Sequence, residues 1–172
     1  TVQEYLENVL ENGESLGYDG RTIGVNYANS IKAALREKEI EYKEDIDLVG
    51  AIWRKRPKIP NEPIWLLKKK YAGKSRKQKL KLLRDELRRI GADAILIVSL
   101  DDIAWLYNLR GDDMKYSPVA LSYTIVYHEK AVLYRDEESI RKQIVKEFEK
   151  DKIEIAPYSQ VYEDIEKLQG IT

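Results

Sequence analysis

The sequence predicts an α/β fold in which a mixed β-sheet is flanked by helices on both faces. Three observations predict it. Segments with a helical apolar period alternate along the 172 residues with short runs of strand length. The run AILIVS, Ala94 to Ser99, is an apolar strand that leads directly into a short helix. Two further runs, Val119 to Tyr127 and Ala131 to Arg135, are separated by His128 to Lys130, the tight spacing of an antiparallel hairpin.

The elements follow in order. Val2, Leu6, Val9 and Leu10 mark a first helix, Ser15 to Tyr18 a short strand, and Tyr27, Ile31, Ala34 and Leu35 a second helix. Glu39 to Tyr42 reads as a strand, and Asp45 is placed to cap a short helix running through Trp53. Pro57, Pro60 and Pro63 then forbid regular helix or central strand, so an extended, semi-rigid connector is expected here as the domain boundary. A helix from Ser75 to Ile90 carries its apolar stripe on Leu80, Leu83, Leu87 and Ile90 and is stopped by Gly91. Asp93 to Ser99 is expected as a buried strand. In the helix after it Ser99 or Asp101 can cap the start. Ile103, Leu106 and Tyr107 share one face, Trp105 is expected as a core anchor, and Asn108 or Gly111 can supply the left-handed residue that ends it. Beyond the hairpin, Ile140, Ile144, Val145 and Phe148 define a helix, Lys152 to Ala156 a strand, and Val161, Ile165 and Leu168 a last helix.

Charge and composition narrow the function classes. The 30 basic and 30 acidic residues balance, but residues 54 to 89 hold 15 of the bases and only Glu62, Asp85 and Glu86 as acids. With Trp53, Trp65 and Tyr71 nearby, such a patch can bind phosphates and stack on bases. The leucine spacing of the Ser75 to Ile90 helix argues instead that these bases occupy its solvated side, and no nucleic-acid motif is present, so no nucleic-acid partner is expected. With no cysteine, thiol chemistry is excluded and the composition suits a reducing cytoplasm. No apolar run of membrane-spanning length and no leader peptide is found, and the start at Thr1 suggests a piece of a larger protein. Asp101 with Asp102, and Asp112 with Asp113, are paired carboxylates that can bind a hard cation, but adjacent acids on one segment seldom converge, and helix capping and solubility explain them better. Arg110 is expected to fix the loop through a bidentate bond to Asp113 or through backbone carbonyls at the turn. The turn Gly17 to Gly20 lacks the spacing of a phosphate loop.

Trp105, Asn108-Leu109-Arg110-Gly111 and Asp113, followed by Pro118-Val119 and Ser122-Tyr123, resemble the WLxNLRGxD pattern of the Xaa-Pro aminopeptidase (aminopeptidase P) family. Upstream, Ile52-Trp53, Arg56-Pro57, Pro60 and Pro63 are similar to that family's IWxxRPxxPxxP connector, and Tyr71, Gly73, Ser75, Lys77, Lys79, Leu83 and Arg84 fit the helix after it. Lys55 stands where the family usually has an acid, and Asp112 where a small residue is common.

The resemblance implies creatinase/prolidase-type N-terminal domains with a ribonuclease H-like motif. It further implies a parent enzyme that removes an N-terminal residue before a penultimate proline, using two divalent metal ions, manganese by expectation, held by two Asp, two Glu and one His. Further histidines position the scissile bond in that family, and His128 is the single histidine here with no second imidazole to join it, so the catalytic domain is expected outside this chain, with no catalytic or metal residues within it. Trp105, Asn108, Arg110, Gly111, Asp113, Pro118 and Tyr123 are then structural or interface residues. The partners implied are the protein's own C-terminal catalytic domain, a second subunit in a homodimer, and proline-containing peptides; no membrane is implied. A stand-alone interaction or assembly module is the alternative.

Comparing the two ends adds an organisation. Val2, Leu6 and Val9 match Val161, Ile165 and Leu168 at a constant offset of 159. Residues 1–53 are therefore expected as the second half of a first α/β domain, 54–73 as the basic connector, and 74–172 as the first part of a second domain. Strands near 15 to 18 and 39 to 42 are expected to complete the sheet of residues 93 to 156, within one chain or across a dimer.

Overall fold

The computed structural model describes residues 1–168, and the chain divides into two compact units between Lys58 and Ile59. In the first unit, α1 (Val2–Val9) begins with a capping box. The Thr1 hydroxyl accepts from the Glu4 N–H, and the Glu4 carboxylate returns to the Thr1 amine. Strand β1 (Ser15–Gly17) pairs in parallel with β2 (Glu41–Lys43), and α2 (Val25–Ala34) provides the crossover such a pair requires. The apolar side of α2 buries Ala28 and Ile31, with Leu35 just beyond its end. Helix α3 (Leu48–Ile52) is capped by Asp47, not Asp45. The Asp47 carboxylate accepts from Gly50 N–H at 2.7 Å and from Arg56 at 2.6 Å, while Asp45 is held in a β-bridge to Asp19.

The second unit begins within the proline-bearing stretch. The proline-bearing stretch is irregular only as far as Ile64. Then β3 (Trp65–Leu66) pairs antiparallel with β5 (Leu109–Arg110), and Lys69–Ala72 forms the one-turn α4. Helix α5 (Arg76–Ile90) opens with a Ser75–Gln78 capping box and closes on Gly91 in the left-handed region, φ 74°. The remaining strands, β4 (Ala94–Ile97), β6 (Tyr123–Tyr127), β7 (Ala131–Tyr134) and β8 (Ile153–Ala156), form one mixed sheet in the order β4-β6-β7-β8. The first two pairings are antiparallel and β7–β8 is parallel.

Alternation along these strands makes two cores. Ile95, Ile97, Thr124, Val126, Ala131, Leu133 and Ile153 face α5, α6 (Leu100–Tyr107) and α7 (Lys142–Lys150), around Leu80, Ile103, Leu106, Tyr107 and Phe148. On the opposite face Ile125, Val132, Tyr134 and Ala156 pack against Val161 of α8 (Gln160–Glu166). Helices thus cover both faces of the sheet, as predicted. Two apolar positions depart from expectation. Ile90 is exposed at the end of α5, and β4 is only half-buried because it is an edge strand. Strands β1 and β2 pair with each other and belong to a separate sheet, so within this chain they do not complete the sheet of residues 94–156.

Candidate functional site

The residues of the WLxNLRGxD motif gather where α6 ends and the loop to β6 begins. Ser99 caps α6, its hydroxyl accepting from Asp102 N–H, and Asn108 at φ 52° ends the helix, so the left-handed residue is Asn108 and not Gly111. Arg110 then donates to the carbonyls of Ala104 in α6 at 2.9 Å and Leu109 beyond its end at 2.7 Å, which ties the side chain back onto the helix it follows. Of the two partners expected for Arg110, the backbone carbonyls prevail.

Asp113 is taken by a residue the sequence did not single out, Arg135 at the end of β7. Both side chains are buried, and the Arg135 Nη1 to Asp113 Oδ2 distance is 2.6 Å. The five guanidinium N–H groups meet Asp113 Oδ2 and Oδ1, the carbonyls of Leu121 at 2.9 Å and Glu62 at 2.6 Å, and the Ser139 hydroxyl at 2.8 Å. Asp113 also accepts from the N–H groups of Glu62 and Leu121, each at 2.7 Å. One ion pair therefore ties the segment before β3, the loop before β6, the end of β7 and the turn at Ser139. Its carboxylate has no oxygen left to act as a base or a metal ligand.

Gly111 closes the same loop through its size. Its N–H donates to Pro118 O at 3.3 Å, and a Cβ at this position would lie 2.9 Å from Ala120 Cβ. Between these anchors the loop protrudes. Tyr116 is 94% exposed at φ 67°, on a turn closed by Ser117 N–H to Met114 O. Pro118 is exposed, and Tyr123 packs on Tyr158 at 5.0 Å and Tyr162 at 6.4 Å on the α8 face of the sheet.

A second buried cation lies behind the motif. Lys79 was expected on the solvated side of α5, yet it is 2% exposed and donates to Trp105 O and Asn108 Oδ1, each at 2.7 Å. Burial, followed by the charges of Arg110 and Lys74, holds its pKa below the ordinary lysine value. Asn108 Nδ2 donates to Lys74 O, and Leu67 N–H donates to Asn108 O, so this side chain and backbone join α5, α6 and β3. Trp105 is not a core anchor. It is 53% exposed, because Ile103, Leu106 and Tyr107 occupy the buried face of α6, and its ring covers the Lys79 ammonium at 4.4 Å.

The other candidates do not converge. Asp101 and Asp102 lie exposed in the first turn of α6. His128 sits at the β6–β7 turn, its carbonyl accepting from Arg88 and its Nδ1 buried without a partner among the described residues. Among those residues no group of three or more His, Cys, Asp and Glu side chains is placed to hold a metal ion, and no helix is long and apolar enough to cross a membrane. Sequence reasoning missed Arg135 and Lys79. The available signal was a charge at the end of an otherwise apolar strand, AVLYR, and one on the leucine-bearing helix.

The fold and the motif together define an α/β domain whose signature residues hold segments in place through caps and one buried ion pair. Residues 55–171 match the family model of the Creatinase/Prolidase N-terminal domain, and the chain belongs to that family. It is 38% identical over 172 residues to Xaa-Pro aminopeptidase 1 of Dictyostelium discoideum, covering 95% of this chain and 27% of that protein. It is 36% identical over 171 residues to a probable Xaa-Pro aminopeptidase P of Sordaria macrospora, covering 98% of this chain and 28% of that protein. Among solved structures it superposes with a TM-score of 0.82 and 29% identity on X-prolyl aminopeptidase from Caenorhabditis elegans, covering 98% of this chain and 28% of the other. That protein is described as a cytosolic enzyme with a di-nuclear active site. The chain thus spans just over a quarter of the length of the curated relatives it matches.

Proposed function

We propose that this chain is a non-catalytic N-terminal region of a metal-dependent Xaa-Pro aminopeptidase, serving subunit contacts and substrate access. One observation carries the reading: nearly the whole chain matches about a quarter of proteins bearing that name, in sequence and in fold. Residues 1–53 are the second half of a first N-terminal domain, 54–73 the link, and 74–172 the first part of a second. The two metal ions, taken to be manganese, are held on polypeptide outside this chain. The substrate of the whole protein is a peptide with proline in second position. The assembly is a homodimer in the cytoplasm, in which these domains wall the mouth of an active site and limit entry to short peptides. The motif fits a walling role, since its buried residues make a rigid base for the exposed loop around Tyr116.

The test is an assay with manganese on Xaa-Pro peptides of increasing length. The protein encoded by the full reading frame is expected to turn them over, with long peptides disfavoured, and the 172-residue chain to be inactive. Turnover by the 172-residue chain would overturn the reading. A full reading frame without spaced Asp, Asp, His, Glu and Glu ligands would leave a stand-alone assembly module in its place.

A further inference from the structure

Pro57, Pro60 and Pro63 recur every three residues, which is the repeat of a polyproline II helix, so an extended chain carries them along one edge about 9 Å apart. Each proline fixes its own φ and holds the residue before it extended. Within residues 57–63 only Lys58 and Asn61 escape both restrictions. Residues 54–60 are exposed, and among the described residues none of 57–61 makes a backbone hydrogen bond. Their carbonyls are free. One end of the stretch is fixed at Glu62, whose N–H donates to Asp113 and whose carbonyl accepts from Arg135. At the other end Arg56 is held by Asp47 at 2.6 Å, whereas Arg54 and Lys55 are exposed and meet no acid among the described residues. Arg54 stands three residues before Pro57, so one further turn of the same helix brings it to the proline edge.

We propose that residues 54–63 are a linear docking segment for a partner domain of the SH3 type, with Arg54, Pro57 and Pro60 as the contact residues. The partner's chemistry follows from the segment. Proline rings on one edge suit a shallow groove lined by aromatic side chains, and the free carbonyls between them accept from donors on the groove wall. A guanidinium three residues before the first of these prolines calls for a carboxylate at the end of that groove. Arg-x-x-Pro-x-x-Pro thus sets the distance between an acidic pocket and two aromatic ones. The prolines also lower the cost of binding, because they order the chain before the partner arrives. Only the Arg54 end must adapt, by opening the turn that Arg56 N–H closes onto Trp53 O at 3.0 Å. A passive spacer makes use of the prolines but not of the unpaired bases at one end of them. No step of peptide cleavage depends on this segment, so the inference stands apart from the proposed function.

The experiment titrates the 172-residue chain into a panel of isolated, isotope-labelled SH3 domains that accept Arg-x-x-Pro-x-x-Pro peptides, and follows the domains' amide shifts. Saturable shifts along the aromatic groove are expected. Pro57→Ala with Pro60→Ala is expected to weaken binding by more than about 10-fold, and Arg54→Glu by about 10-fold. Lys69→Glu, at an exposed base of α4, is expected to leave it unchanged. Each of these side chains is exposed, so the circular dichroism of all the variants should match that of the parent. No saturable shift across the panel, or binding that survives the paired proline substitution, would overturn the proposal. So would an equal loss with Lys69→Glu, which would mark an association driven by net charge only. The readout is independent of peptidase activity. Groove binding by a protein that fails to cleave Xaa-Pro peptides would reject the proposed function and keep this inference.

Discussion

Asp113 and Arg135 are 22 residues apart, and each is buried only because the other is there. Removing one partner leaves an unpaired buried charge, so Arg135→Met is expected to lower stability by about 3–5 kcal/mol in urea denaturation. Arg135→Met with Asp113→Leu is expected to recover only part of that loss, since it removes the unpaired charge but leaves the Glu62 and Leu121 N–H groups and carbonyls without the partners this pair provided. Gly111→Ala places a methyl 2.9 Å from Ala120 Cβ and is expected to cost about 1–3 kcal/mol, measured the same way. Trp105→Ala, at an exposed ring whose main contact is the Lys79 ammonium, is expected to cost only about 0.5–2 kcal/mol; a loss above that would show a core role. The sequence made the importance of Asp113, Gly111 and Trp105 legible through their motif. It did not make their partners legible, because Arg135, Ala120 and Lys79 are brought close by strand pairing, loop closure and the packing of α5 on α6, and not by spacing along the chain.

Local signals decided the elements. Thr1 with Glu4 and Ser75 with Gln78 are capping boxes visible as residue pairs three apart, and Gly91 stops α5 where a glycine after a periodic run should. Asp47 displaced Asp45 as the cap of α3 because only its carboxylate reaches Gly50 N–H while also meeting Arg56. Helix α6 is joined to the sheet by Tyr107, whose buried hydroxyl donates to Thr124 Oγ1 at 2.5 Å while Thr124 donates to Val132 O. Burial raises the Tyr107 pKa well above the ordinary phenol value of 10.0. Below about pH 10 both folded and unfolded states keep the proton and the contribution is complete. Above it the unfolded state releases its proton first, so stability falls by up to about 1.4 kcal/mol per pH unit until the folded pKa is reached. Tyr107→Phe should therefore show a shallower loss than the parent protein between about pH 10 and 11 in denaturant titrations. Equal slopes would mean that the hydroxyl is not shielded.

For the whole molecule, the two units differ in how much they bury. Within residues 1–58 the buried apolar side chains are Ala28, Ile31 and Leu35, whereas residues 59–168 build a core on each face of a four-stranded sheet. A unit this small with so little core is marginal alone. Residues 1–58 are therefore expected to lose amide protection at lower urea than residues 59–168, giving two transitions. One shared transition would show that the units stabilise each other. The break between Lys58 and Ile59 falls inside the proline-bearing stretch where the sequence placed a boundary, yet residues 65–66 and 69–72 became strand and helix. Pairing of β3 with β5 explains this, and that pairing joins residues more than forty positions apart.

Read alone, the sequence was enough for the α/β class, most of the helices and strands in their order, the Gly91 stop of α5 and the family resemblance, because each depends on residues within a few positions of one another. Tertiary structure alone decided that Arg135 claims Asp113, that Lys79 is buried under an exposed Trp105, and that β4 forms an open edge. These depend on which distant segments the sheet brings side by side, and on which polar groups lose water when it does.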